Sequence, residues 1–322
     1  MPSAVVPKSL LKPIPASQAR SRAQEILDRN REHVERAIIN GGRRELVRIL
    51  VRAQKDLEER LRAMGRDGNA RWTAHDVEAT LVQVRVALAQ IAPRFRHLLE
   101  ENARRAAEVG AKNTAELLTY FERRAGGLVE GGVLRPLSIR QAVALRHTLL
   151  MEYATSVDRY GRHMIGVIRR ELQAGLVRGA TFEEMTTLLV GKRGPRGIVS
   201  MAAKEMNDGK VVRTREETIR EGLFVRWRGW AERIIRTEGM RAYATGAQEE
   251  MVAQQHAHFP DLKRKLIETF DRRTGWDSYK AHGEVRGMNE PFVDGAGRVY
   301  LLPPGRPNDR ACVVPYRDAW AE

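Results

Sequence analysis

At 322 residues, with 42% hydrophobic and 30% charged side chains, the chain is long enough for two domains or for one domain and a helical arm, and its composition is that expected of a soluble protein rather than a disordered or membrane one. The formal charge is +15, and residues 1–200 carry 35 Lys/Arg against 22 Asp/Glu while the remainder carries 21 against 19, so the basicity belongs to the first two thirds. One cysteine, Cys312, excludes an internal disulfide and a multi-cysteine metal site, and places the chain most simply in a reducing compartment.

No apolar run approaches the roughly 20 residues that cross a bilayer, so no membrane span is expected. The opening MPSAVVPKSLLKPIP is too short and too proline-interrupted for a signal peptide. Residues 1–16 read instead as a flexible basic arm. A helical pattern begins near Ser17, carries Ile26, Val34, Ile38 and Ile39, and is expected to break at Gly41 and Gly42. The next segment, RRELVRILVRAQKDLEERLRAM, stops before GRDGNA and would form an antiparallel hairpin with the first. Thr73 is a candidate N-cap, with Asp76 where a capping box usually has Glu or Gln. Apolar residues then recur at Val77, Leu81, Val84, Leu88, Ile91, Phe95 and Leu98, a narrow stripe along a long helix. Pro93 is expected to bend or divide it.

AGGLVEGGVLRP, residues 125–136, marks a boundary. Beyond it lie a helical stretch interrupted near Gly161, a short helix TFEEMTTLLVG capped by Thr181 and Glu184, and the basic turn GKRGPRG. That turn lacks the Gly-Lys-Ser/Thr ending of a phosphate loop, so Lys192, Arg193 and Arg196 are candidates for a partner or phosphate contact. Residues 223–255 read as another long helix. Strands are expected only after it, around KLIET and RVYLLPP. The fold class is therefore mainly α: an extended helical N-terminal region, with the arm at 1–16 and a helical hairpin and long helix over 17–130, followed by a small mixed α/β C-terminal domain within 131–322.

Chemistry is sparse. His33, His75, His97, His147 and His163 have no second ligand at useful spacing, and HAHFPD (His256 to Asp261) reads as a helix end and a turn, so no metal or cofactor is expected. There is no HExxH sequence and no glycine-rich dinucleotide turn. Aromatics at 6% do not interleave with basic residues as a single-strand platform requires. The dense segment is DRRTGWDSYKAHGEVRGMNEPF, Asp271 to Phe292. Arg236, Glu238, Asp271, Arg273 and His282 are expected to form a structural polar network, with His282 donating to Asp271, Asp277 or Glu284. Two other readings stay open: an enzyme with a polar cleft around Asp271 and His282, and a nonspecific double-stranded DNA-binding protein using the arginine-rich first two thirds.

The order of these pieces resembles a known family. Arg236-Thr237-Glu238 on a helix, the Asp271/Arg273/Thr274 turn, His282-Gly283, Glu290-Pro291-Phe292, and the closing Pro303-Pro304-Gly305, Asn308, Arg310 and Cys312 resemble the head-morphogenesis domain of tailed-phage minor capsid proteins, the family named after the F protein of phage Mu. The resemblance covers about residues 130–316 and is most specific over 230–315. It departs from the family where many members carry an Asn-Cys-Arg-Cys closure, since this chain reads Asn308-Asp309-Arg310-Ala311-Cys312. The resemblance implies a noncatalytic minor head protein at the portal vertex, in the host cytoplasm during assembly and then in the procapsid or virion. The partners it implies are the portal protein, scaffold or major capsid protein, and packaged DNA.

Overall fold

The computed structural model describes residues 28–29, 32–124, 139–191, 198–207, 210–220, 222–268, 276–305 and 311–320. The arm 1–16, the boundary 125–136 and the turn with Lys192, Arg193 and Arg196 lie outside them. The chain is mainly helical, with long N-terminal helices and a small C-terminal antiparallel sheet region. A π-helical segment, Val34–Ile39, runs directly into α1 (Asn40–Ala63). The expected break at Gly41 and Gly42 is absent, and most of the first segment of the expected hairpin lies outside the described residues. The glycines fall inside a helix whose register changes from π to α just ahead of them.

After α1 come α2 (Ala74–Arg124), α3 (Ile139–Val177) and α4 (Phe182–Val190). Neither Pro93 nor Gly161 divides its helix. Pro93 removes one backbone donor, and the buried residues on either side of it, Ile91 and Phe95, keep the same helix face packed. The apolar stripe of α2 is buried at Val77, Leu81, Val84, Leu88, Ile91 and Phe95, but the next buried position is Leu99 rather than Leu98. A heptad repeat drifts by about 20° per seven residues against a 3.6-residue helix, and a one-residue step restores the face.

The second correction concerns strands. β1 (Ile198–Asn207) and β2 (Lys210–Arg220) pair antiparallel well before the C-terminal region, with Asn207 opposite Lys210. The overlooked signal was Asp208-Gly209, the residue pair that two-residue hairpin loops favour, followed by a segment carrying the β-branched Val211, Val212, Thr214, Thr218 and Ile219. α5 (Leu223–Ala257) follows, and then β3 (Lys263–Ile267), α6 (Trp276–Ala281), β4 (Val285–Arg286), β5 (Phe292–Val293), β6 (Val299–Tyr300), β7 (Cys312–Tyr316) and a 3-10 turn, Asp318–Trp320. β3 is the centre of a three-stranded antiparallel sheet in the order β4-β3-β7, and β5 pairs with β6.

Two compact units emerge, each assembled from segments distant in sequence. One comprises residues 40–101 and 150–235, the other residues 1–39, 102–149 and 236–322. In the first, Leu46, Leu50, Leu57 and Leu61 of α1 are buried at helical spacing. Each such leucine contributes about 1.5–3 kcal/mol when removed from water. The turn after α1 is tied to the start of α4: the Trp72 amide donates to the Ala180 carbonyl, the Phe182 amide to the Ala70 carbonyl, and the Trp72 and Phe182 rings lie 5.5 Å apart. Both anticipated caps form. Thr181 and Glu184 make a reciprocal capping box on α4. Thr73 and Asp76 make its aspartate equivalent on α2, with the Thr73 amide donating to Asp76 Oδ2 at 2.9 Å and the Asp76 amide to Thr73 Oγ1 at 3.2 Å. Burial alone would raise the Asp76 pKa, but hydrogen bonds from Thr73 and the Arg66 guanidinium outweigh it and hold the carboxyl below its ordinary value.

In the second unit, Ala115 and Leu118 of α2 and Ala247 and Met251 of α5 form one core with Phe259, Leu262, Leu266, Ala281, Met288, Phe292, Ala311 and Val313. α2 and α5 touch backbone to backbone. A Cβ at Gly110 would stand inside contact distance of the Tyr243 carbonyl, and one at Gly246 inside that of the Ala107 carbonyl. Asn113 Nδ2 donates to the Tyr243 hydroxyl beside this crossing.

Candidate functional site

The alternation of β3 turns Arg264 and Leu266 to the same buried side. Arg264 is fully buried, and by volume it is the largest such side chain among the described residues. Its guanidinium faces carbonyl oxygens rather than a carboxylate. Nε donates to Gly287 O at 3.0 Å, Nη1 to Leu301 O at 2.8 Å and to Gln248 Oε1 at 3.3 Å, and Nη2 to Glu290 O. The plane lies over Phe292, with Cζ 5.0 Å from the ring centroid. Gln248, on α5, completes the arrangement by donating to Met288 O at 2.9 Å. One planar fork thus holds the turn before β5 and the segment after β6 against α5 and β3. Burial lowers the Arg264 pKa to about 10, which still leaves it cationic throughout the neutral range.

A second set of contacts fixes the β5–β6 turn. Asp294 Oδ1 accepts from the amides of Ala296 and Arg298, and Oδ2 accepts from Arg298 Nε at 2.6 Å. Arg298 reaches on to Asp277 of α6 at 3.1 Å, and the Gly295 amide donates to the Asp277 carbonyl. Burial would raise the Asp294 pKa, but the Arg298 side chain and the backbone donors overcome that and hold it low. The Arg298 pKa is raised by its hydrogen bond to Asp294.

A third set anchors the last residues to the end of α2. Arg317 donates to Glu122 and, through Nε at 2.8 Å, to Asp261, while Trp320 Nε1 donates to Glu122 at 3.1 Å and its ring stacks on Phe121. Asp261 of the HAHFPD sequence is thereby engaged in an ion pair, and His256 and His258 are exposed. Among the described residues no group of three or more His, Cys, Asp and Glu side chains could hold a metal ion. Cys312 is buried in β7, opposite Ile267.

The residues singled out from sequence are distributed as follows. Arg236 is half-buried on α5, and buried Glu238 accepts from Arg241 at 2.7 Å, one turn further on. Asp271 and Arg273 lie outside the described residues. His282 follows α6, and its Nδ1 accepts from the Glu268 amide at 3.1 Å, while Asp271, one of its expected partners, lies outside the described residues. That bond needs an unprotonated Nδ1. Partial desolvation of the ring, on a residue that is exposed as a whole, together with the nearby Lys265 charge, lowers the His282 pKa.

Sequence reasoning missed Arg264 entirely. The signal was present but weak: a lone arginine at the inward position of an otherwise apolar alternation, Leu262, Arg264, Leu266. Chemically, these three sets of contacts build a rigid body from irregular chain, using charged side chains to satisfy backbone groups of the turns. The chain matches no protein-family model, no curated protein and no solved structure.

Proposed function

We propose that the protein is a noncatalytic phage minor capsid protein that docks at the portal vertex during head assembly. The resemblance to the Mu F-like head-morphogenesis family supports this reading, and its described residues, Arg236 to Glu238, His282, Gly283, Glu290 to Phe292, Pro303 to Gly305 and Cys312, all belong to one compact unit. The observation that carries a docking role is an apolar surface on that unit. Val293 and Val299 are cross-strand partners on β5 and β6, both exposed, and Leu301 continues the same side two residues further along. Their neighbours Phe292 and Tyr300 turn the other way, into or against the core. A short hairpin held rigid by Asp294 and Arg298 and offering valines and a leucine to solvent suits contact with another protein.

In this reading the polar contacts around Arg264 are scaffold, and His282 serves the fold by accepting from the Glu268 amide. The protein would assemble in the host cytoplasm and remain in the procapsid or virion near the portal, with scaffold or major capsid protein as further contacts and with packaged DNA passing close by. No helix among the described residues is long and apolar enough to cross a membrane.

The test is co-purification with the portal protein encoded beside it, after nuclease treatment and across salt concentrations. Nuclease-resistant association in a defined ratio, abolished by Val293→Glu with Val299→Glu, is the expected result. Association that disappears with nuclease would make DNA the bridge and remove the direct portal contact.

A further inference from the structure

Several exposed arginines on the helices are balanced by a carboxylate nearby in sequence. Arg36 pairs with Glu32, Arg48 with Glu45, Arg62 with Glu58 and Arg104 with Glu108. Arg52 of α1 and Arg85 and Arg94 of α2 are exposed without an ion pair among the described residues, and α3 gathers four such arginines on one face. Val157, Met164, Ile168 and Leu172 form its buried side, and the opposite, exposed side carries Arg159, Arg162, Arg169 and Arg170. None of the four has an ion pair among the described residues. The nearest carboxylate along the helix, Asp158, meets Arg96 at 3.8 Å, and Glu171 is half-buried and lies on the flank of the helix. His163, on the arginine side, stacks on Trp230 of α5 with centroids 6.2 Å apart and planes 15° apart.

A glycine adds an independent observation. Gly166 falls midway between the two arginine pairs on the same face, and a Cβ there would meet nothing within 4 Å. Internal packing therefore does not require glycine at this point, although glycine costs a helix interior about 1 kcal/mol relative to alanine. A bare backbone between two pairs of unpartnered guanidinium groups is what close approach of an extended polyanion would use.

From this we infer that the exposed face of α3 from Arg159 to Arg170 binds the phosphate backbone of double-stranded DNA without regard to sequence. The face spans about 16 Å at 1.5 Å per residue. Duplex DNA presents one charge per roughly 1.7 Å of its axis, so a stripe of this length always has phosphates in reach, whatever the sequence. Guanidinium groups suit phosphate because their planar forks donate in pairs. The inference goes beyond the portal-docked reading and does not depend on it: the face belongs to the other compact unit, and either assignment can fail alone.

The experiment is fluorescence anisotropy of the full chain with a mixed-sequence duplex of about 30 base pairs, long enough to exceed the stripe several-fold at 3.4 Å per step. The logarithm of affinity should fall with the logarithm of salt concentration with a slope of about −4, for four phosphates neutralised. R159Q/R162Q/R169Q/R170Q should bind at least about tenfold more weakly and lose most of that slope. R36Q/R48Q/R104Q/K263Q removes the same net charge from paired sites and should bind much as the wild type does. Gly166→Glu guards against misfolding as an explanation, because it raises helix propensity while placing a carboxylate among the arginines. It should melt no lower than the wild type and still lose DNA. Equal losses in the two quadruple variants would overturn the inference in favour of bulk charge, as would unimpaired binding by Gly166→Glu. Displacement of the duplex by poly-glutamate at matched charge would assign the face to an acidic protein surface instead and end the DNA claim.

Discussion

Arg264 shows how a single side chain can organise chain that has little regular structure. Its bonds to Gly287, Glu290 and Leu301 replace hydrogen bonds that these carbonyls would otherwise make with water, and Gln248 is held in the same arrangement. Arg264→Met keeps the apolar stem but leaves those acceptors buried and unanswered. We expect a loss of about 3–5 kcal/mol in urea unfolding. Arg264→Lys should recover little of it, since a single ammonium cannot span three segments as the planar fork does.

His282 gives a pH signature with a definite sign. Its folded pKa lies below the ordinary value of 6.5, so below that value the unfolded chain binds more protons than the folded one. Stability from this group is complete above about pH 6.5 and is lost progressively as pH falls from there towards the folded pKa. The expected observation is lower stability at pH 5 than at pH 7.5, with the difference reduced in His282→Asn, whose amide oxygen can still accept from the Glu268 amide. The depressed carboxyls of Asp76 and Asp294 act in a separate, more acidic window: their contribution is present above their ordinary value of 3.8 and is lost as pH falls through the lower folded values.

At the scale of elements, the glycines divide into those that packing requires and those it does not. Gly110 and Gly246 allow α2 and α5 to approach within backbone contact. Alanine at either position gains helix propensity of about 1 kcal/mol but drives a methyl group into a carbonyl of the facing helix. The clash should dominate, for a net loss of about 1–3 kcal/mol by chemical denaturation. Gly161 on α3 has open space around it, so Gly161→Ala should be neutral or stabilising by up to about 1 kcal/mol. All three residues are glycine, indistinguishable in the sequence. Only the facing helix distinguishes them, and no periodicity along one segment reports what another segment will place opposite it.

At the scale of the whole molecule, neither compact unit is a continuous stretch of chain. The core around Leu266 and Phe292 takes Ala115 and Leu118 from α2, and the C-terminal turn is pinned to Glu122 and Phe121 of the same helix. A fragment beginning at residue 131 therefore lacks one wall of its own core. Such a fragment should bind a hydrophobic dye and show weak near-ultraviolet circular dichroism, whereas the full chain should show neither. A native-like fragment of residues 131–322 would show that α2 is dispensable to this unit.

Some of this was determined by sequence alone. The long helices, the apolar stripe of α2, the two N-caps and the mainly α class follow from local periodicity and capping chemistry, which act between residues three or four apart. The β1–β2 hairpin was legible as well, in Asp208-Gly209 and its flanking residues. Tertiary structure alone decided that Arg264 would be buried among carbonyls, that Gly110 and Gly246 would meet facing backbones, and that four arginines of α3 would face solvent with no ion pair among the described residues. Those outcomes depend on which groups arrive from distant parts of the chain, and the energy of a buried charge or a close helix crossing is set by those neighbours rather than by the residue itself.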